Sequence, residues 1–174
     1  SLESVLKCEH KYWSRVEQSQ VLTEIPKFCA FNPFDADARS TINLPYPFWI
    51  KPVKSYASQL GFRIHHDAEF DDSLRVIRQR ISHFAEPFNY FLQQIALPQS
   101  VAGIGGGWCI AEAIASGRQC TLEGYVYGGE VEVYGVVDSI RESNRSTFAR
   151  YQYPSQLPKR IQARMIETAR KIMT

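Results

Sequence analysis

Two charged residues stand out because each interrupts an apolar strand pattern. Lys51 closes the run Phe48-Trp49-Ile50-Lys51-Pro52. An ammonium at the end of a half-buried strand must find an anion or reach water. The stretch after it, Val53-Lys54-Ser55-Tyr56-Ala57-Ser58, offers backbone N–H groups and hydroxyls. A small-residue loop of that kind can hold phosphate oxygens. Glu112 lies within Trp108-Cys109-Ile110-Ala111-Glu112-Ala113-Ile114-Ala115, which is otherwise uncharged. A carboxylate there demands a hydrogen-bonding partner, and an adenine amino group is one such partner. Each residue also fits a plainer placement. Lys51 could be a solvated strand end before a hairpin loop, and Glu112 could face water from an edge strand.

Other chemistry is argued against by the composition. The four cysteines, Cys8, Cys29, Cys109 and Cys120, show no C-x-x-C spacing, and the adjacent His65 and His66 would point to opposite faces of a strand. No zinc site is expected from that pattern. Unpaired thiols point to a reducing compartment, here read as cytoplasmic. Lys plus Arg number 20 and Asp plus Glu number 18, a net charge of +2. That balance lacks the basic excess of nucleic-acid readers. No apolar run reaches the roughly 18 residues of a membrane helix. Apolar residues at 44% and charged residues at 22% instead describe a globular chain. The start at Ser1, without a charged-then-apolar leader, reads as an excised piece.

The elements that must position these residues can be read from periodicity. Leu2, Val5, Leu6, Tyr12, Trp13, Val16 and Val21 predict one helix over 2–22, ended by Ile25-Pro26. Strands are expected at 27–31, 48–50, 61–66 and 108–114, with a long loop over 32–47. Asp71-Asp72-Ser73 predicts a helix start, followed by Leu74, Ile77, Ile81 and Phe84. A second short helix is expected over 88–97. Gly128-Gly129 sits between two Val- and Tyr-rich runs, 120–127 and 130–137, and predicts a tight hairpin. An amphipathic helix over 159–173 follows a loop bracketed by Pro154 and Pro158, with Ile161, Met165, Ile166 and Ile172 on one side.

Taken in order, these pieces resemble the central part of ATP-grasp enzymes. The likeness is to the carboxylate–amine ligase branch and to the carbamoyl-phosphate synthase or biotin-carboxylase-like branch. The family's lid has an apolar strand ending in Lys-Pro and then a loop with serine, as in Ile50-Lys51-Pro52 and residues 55–58. An apolar strand ending in Glu follows, then Ser-Gly and a ribose-binding residue seven positions after the Glu. Here these are Glu112, Ser116-Gly117 and Gln119. The long hairpin to Asp138 and Tyr153-Pro154-Ser155-Gln156-Leu157 come next. The resemblance covers roughly residues 10–174.

It implies an α+β fold: a leading helix over 1–25, a small antiparallel lid lobe over 26–107, and from 108 to 174 the first part of the larger lobe. It also implies roles. Lys51 would hold the α- and β-phosphates of ATP, and Ser58 with its loop would close over them. Glu112 would accept from the adenine amino group, with the backbone of Ala113 and Ala115 along the ring edge. Gln119 would take the ribose hydroxyls. Lys11, or Arg15 in its place, would be a further phosphate cation. Arg141 or Arg145 would face the transferred phosphoryl group, although each also reads as surface arginine.

The sequence departs from the family in three ways. The usual lid glycines are Ser55 and Ala57, whose Cβ atoms disfavour positive φ. The ribose carboxylate is the neutral Gln119. The family's Mg²⁺ ligands lie beyond the helix at 159–173, so none is expected in this fragment. The expectation is therefore an ATP-binding, catalytically inactive fragment. Its parent would activate a small carboxylate as an acyl-phosphate and join it to an amine, with ATP and Mg²⁺. The alternatives are a non-catalytic nucleotide-binding module and an α+β interaction domain.

Overall fold

The computed structural model describes residues 1–141 and 148–173. The chain divides into two compact units, Ser1–Ser19 with Glu24–Ala115, and Gln20–Thr23 with Ser116–Thr174.

The first unit opens with α1 (Leu2–Glu9) and α2 (Lys11–Val21), followed by β1 (Phe28–Phe31), β2 (Phe48–Pro52) and β3 (Phe62–Ile64). Helices α3 (Asp67–Arg80) and α4 (Ser82–Leu92) precede β4 (Cys109–Ala113). The strands form one antiparallel sheet in the order β1-β4-β2-β3. Strand β4, expected to open the larger lobe, is hydrogen-bonded on both sides within this sheet. Alternation along the strands sorts the side chains by face. Phe48, Ile50, Cys109 and Ala111 enter a core completed by Phe70, Leu74 and Ile77 of α3. Trp49, Lys51, Ile110 and Glu112 therefore belong to the opposite face. Helix α2 lies on that face, where the Tyr12 ring meets Phe28 edge-on at 5.7 Å. A second cluster, Leu6, Trp13, Phe88, Leu92 and Val101, joins α1, α2 and α4.

Three helix boundaries differ from the expectation. The helix expected over 2–22 is two helices, because His10 is extended, with φ −87° and ψ 96°. Its side chain caps α2, with the Trp13 N–H donating to Nδ1 at 3.2 Å. Helix α3 starts at Asp67 instead of near Asp71, because His66 supplies the cap and Glu69 N–H donates to its Nδ1. The later helix spans Ser82–Leu92, six residues earlier in its start than expected, and buries Phe84, Ala85, Phe88 and Leu92.

The second unit holds β5 (Cys120–Tyr127), β6 (Glu130–Arg141), β7 (Phe148–Gln152) and α5 (Lys159–Met173). The strands pair antiparallel in the order β5-β6-β7. Gly128 and Gly129 have φ of 59° and 87°, the left-handed pair that a two-residue hairpin turn requires. Opposite the register shift at Tyr134 of β6, a Cβ on Gly124 would lie 2.2 Å from the Glu132 carbonyl oxygen, so only glycine fits. Strand β7 was not expected. Asp138, 1% exposed, accepts from Ser155 Oγ at 2.5 Å and from Gln156 N–H at 3.0 Å. The Pro154-Ser155-Gln156 segment before α5 is thereby tied to β6. Helix α5 packs against β5 and β6.

Candidate functional site

The register of the first sheet explains how Lys51 and Glu112 meet. Trp49 pairs with Glu112 and Lys51 with Ile110, so Lys51 and Glu112 are diagonal neighbours on one face. The Lys51 ammonium is ion-paired to Glu112 Oε2. The other oxygen, Oε1, accepts from Arg15 Nε at 2.6 Å. The Glu112 side chain is 7% exposed, against 29% for Lys51 and 28% for Arg15. Burial alone would raise the Glu112 pKa. The Lys51 ammonium and the Arg15 guanidinium outweigh it and hold the carboxyl below its ordinary range. Glu112 is thus neither an edge residue facing water nor an orphan, but a buried anion between two cations.

Helix α2 brings the second half of the cation set. Lys11 and Arg15 are four residues apart and so share a face. The Lys11 N–H donates to Val53 O at 2.9 Å, which fixes the start of α2 against the chain leaving β2. Its Nζ donates to Ser55 O at 2.5 Å. Burial, and then the charges of Lys51 and Lys54, lower the Lys11 pKa to about 8. Lys54 itself is ion-paired to Glu9. Three lysines therefore gather at the end of β2 and the loop after it, with Glu9 and Glu112 as the anions among them.

That loop takes the conformation its residues disfavour. Ala57, Ser58 and Leu60 have φ of 50°, 58° and 56°. Leu60 is anchored in the core, while Ala57 and Ser58 are exposed. A left-handed residue with a Cβ costs roughly 1–2 kcal/mol. Ala57→Gly removes that strain and adds up to about 1 kcal/mol of unfolded-chain entropy. The expected net stabilisation is about 0.5 kcal/mol, read as a Tm rise of roughly 1–2 °C.

The remaining expected residues fall as follows. Ala113 is half-buried and its N–H donates to Lys27 O at 2.8 Å. Ala115 is exposed. In the second unit, Gln119 Oε1 accepts from Arg141 Nε at 3.2 Å and Nη2 at 3.0 Å. The Arg141 guanidinium lies over the Phe148 ring at 4.2 Å. Arg145 lies outside the described residues. Arg15, the expected alternative to Lys11 as a phosphate cation, donates to Glu112. Lys54, three residues after Lys51, is a further cation beside the site that no motif marks. Among the described residues, no group of three or more His, Cys, Asp or Glu side chains could hold a metal ion. No described helix is long and apolar enough to cross a membrane.

No protein-family model matches the sequence, and no curated protein is similar to it. Solved structures are similar in fold. VanG D-Ala:D-Ser ligase from Enterococcus faecalis superposes with a TM-score of 0.67 at 18% identity, covering 95% of this chain and 44% of that one. L-amino acid ligase from Bacillus licheniformis gives 0.64 at 16% identity, covering 95% and 33%. N5-carboxyaminoimidazole ribonucleotide synthetase in its ADP complex gives 0.66 at 11% identity, covering 94% and 37%. The chain thus spans less than half the length of each. Over that length it has the ATP-grasp fold, an α+β arrangement built on antiparallel sheets.

Proposed function

We propose that this chain is a nucleotide-gripping part of an ATP-grasp ligase. The parent activates a carboxylate as an acyl-phosphate and passes the acyl group to an amine or similar nucleophile. The observation that carries this reading is the cation cluster on one face of the first sheet. Lys11, Lys51 and Lys54 stand together beside a small-residue loop, and burial, followed by the charges of Lys51 and Lys54, lowers the Lys11 pKa to about 8. A polyphosphate is the ligand that relieves such repulsion. The ADP-bound synthetase of the same fold supports the choice of ligand.

In this reading Lys51 and Lys11 hold phosphate oxygens, and the loop through Ser58 covers them. Glu112 accepts from the adenine amino group beside the backbone of Ala113 and Ala115. Phosphoryl transfer needs positive charge placed where negative charge develops. Mg²⁺, when bound, would supply part of that positive charge, and none of the described residues is assigned to it. The cytoplasmic setting is part of the same proposal.

Calorimetric titration of ATP into the 174-residue chain tests the reading. Binding is expected, and Lys51→Met should weaken it by roughly tenfold or more, the loss of one charge-assisted bond. No binding at millimolar ATP, or equal affinity in the folded variant, would overturn it.

A further inference from the structure

The two oxygens of Glu112 are both engaged, one by Arg15 Nε at 2.6 Å and one by the Lys51 ammonium. Lys51 therefore has two calls on a single charge. It can neutralise Glu112, or it can meet a phosphate. We propose that Lys51 is a latch that couples the two ends of the ligand, so that Glu112 reads adenine well only when phosphate draws Lys51 away. This inference rests on the nucleotide reading above and deepens it by naming how the site selects its substrate class.

The energetics follow from the partners. An adenine amino group that displaced Lys51 from Oε2 would replace an ion pair, charged on both sides, by a hydrogen bond charged only on the acceptor. A nucleoside thus meets a buried carboxylate that is already better satisfied. A nucleoside polyphosphate changes the balance, because Lys51 exchanges one anion for another. The freed oxygen then needs a donor, and the amino group supplies it. Arg15 stays on Oε1 throughout. It keeps Glu112 charged and aimed, and so is a positioning residue. Its second bond, from Nη1 to Gln18 Oε1 at 2.6 Å, holds the guanidinium in place on α2. The site therefore selects adenine nucleotides over adenosine by linkage, through the Lys51–Glu112 ion pair that phosphate would open.

Adenosine and ATP are titrated separately into the wild-type chain and into Lys51→Met, with Lys51→Gln as the replacement if the first variant does not fold. ATP affinity should fall in the variant, while adenosine affinity should rise roughly fivefold or more. A second measurement needs no variant: saturating inorganic tripolyphosphate should tighten adenosine binding to the wild type by a similar factor. If ATP binding depends on Lys51 but adenosine affinity is unchanged or weaker in the variant, and tripolyphosphate leaves adenosine unaffected, the latch is overturned and the nucleotide reading stands. If neither ATP nor adenosine binds either protein, both fall together.

Discussion

Glu112→Ala should destabilise the first unit by about 2–3 kcal/mol at neutral pH. Removing one partner of a buried ion pair usually costs roughly 3–5 kcal/mol, because the other charge stays behind without compensation. Here the two cations left behind are partly exposed and can turn to water, so the loss falls at or just below the bottom of that range. Lys11 adds to the loss, since Glu112 is one of the two anions that ease its charge. The pH dependence carries a sign. The folded pKa of Glu112 lies below its ordinary value of 4.5. Its contribution is therefore present above that value and is lost as pH falls through the folded pKa. Urea denaturation of wild type and variant should differ most at pH 7 and converge in acid. A carboxylate facing water would behave otherwise, with a change within about 0.5 kcal/mol. That outcome would remove Glu112 from the buried site altogether.

The sequence carried Lys51 and Glu112 because each breaks a strand pattern that burial otherwise explains. What periodicity could not supply was the partner across the sheet. Arg15 reaches Glu112 only because β4 lies between β1 and β2 and α2 lies on their shared face. None of this is local, since 97 residues separate the two. The hairpin at Gly128-Gly129 was legible for the opposite reason, because its turn chemistry is contained in two residues. Helix starts failed where histidine acts as a cap. His10 and His66 each accept a backbone N–H on Nδ1, a role usually filled by Ser, Thr, Asp or Asn. The loop at Ala57 and Ser58 shows a further limit. Residue type argued against positive φ there, and the tertiary anchor at Leu60 overrides it.

His10→Ala is expected to cost roughly 3 kcal/mol and to disturb the site from outside it. His10 is fully buried, with its ring 5.8 Å from that of Phe88. Nδ1 accepts from Trp13 N–H, so the proton sits on Nε2, which donates to Ile104 O at 2.8 Å. Alanine removes the cap of α2, leaves the Ile104 carbonyl without its donor and opens a cavity against Phe88. Protonation has a milder effect of the same kind, since a proton on Nδ1 abolishes the acceptor. Burial pushes the His10 pKa below 6.5 in the folded chain. The neutral form is the one that fits, so stability is fully present above the unfolded value and falls as pH drops from there toward the folded pKa. His10→Asn keeps a cap acceptor and removes the titration, so it should flatten this part of the profile. Denaturation midpoints between pH 4.5 and 7.5 would check both. An unchanged pH profile in His10→Asn would show that another group governs acid loss. The consequence for function lies one residue on. Lys11 begins α2, and Arg15 is one turn further, so loosening the cap moves the Lys11 ammonium and the guanidinium that holds Glu112 together.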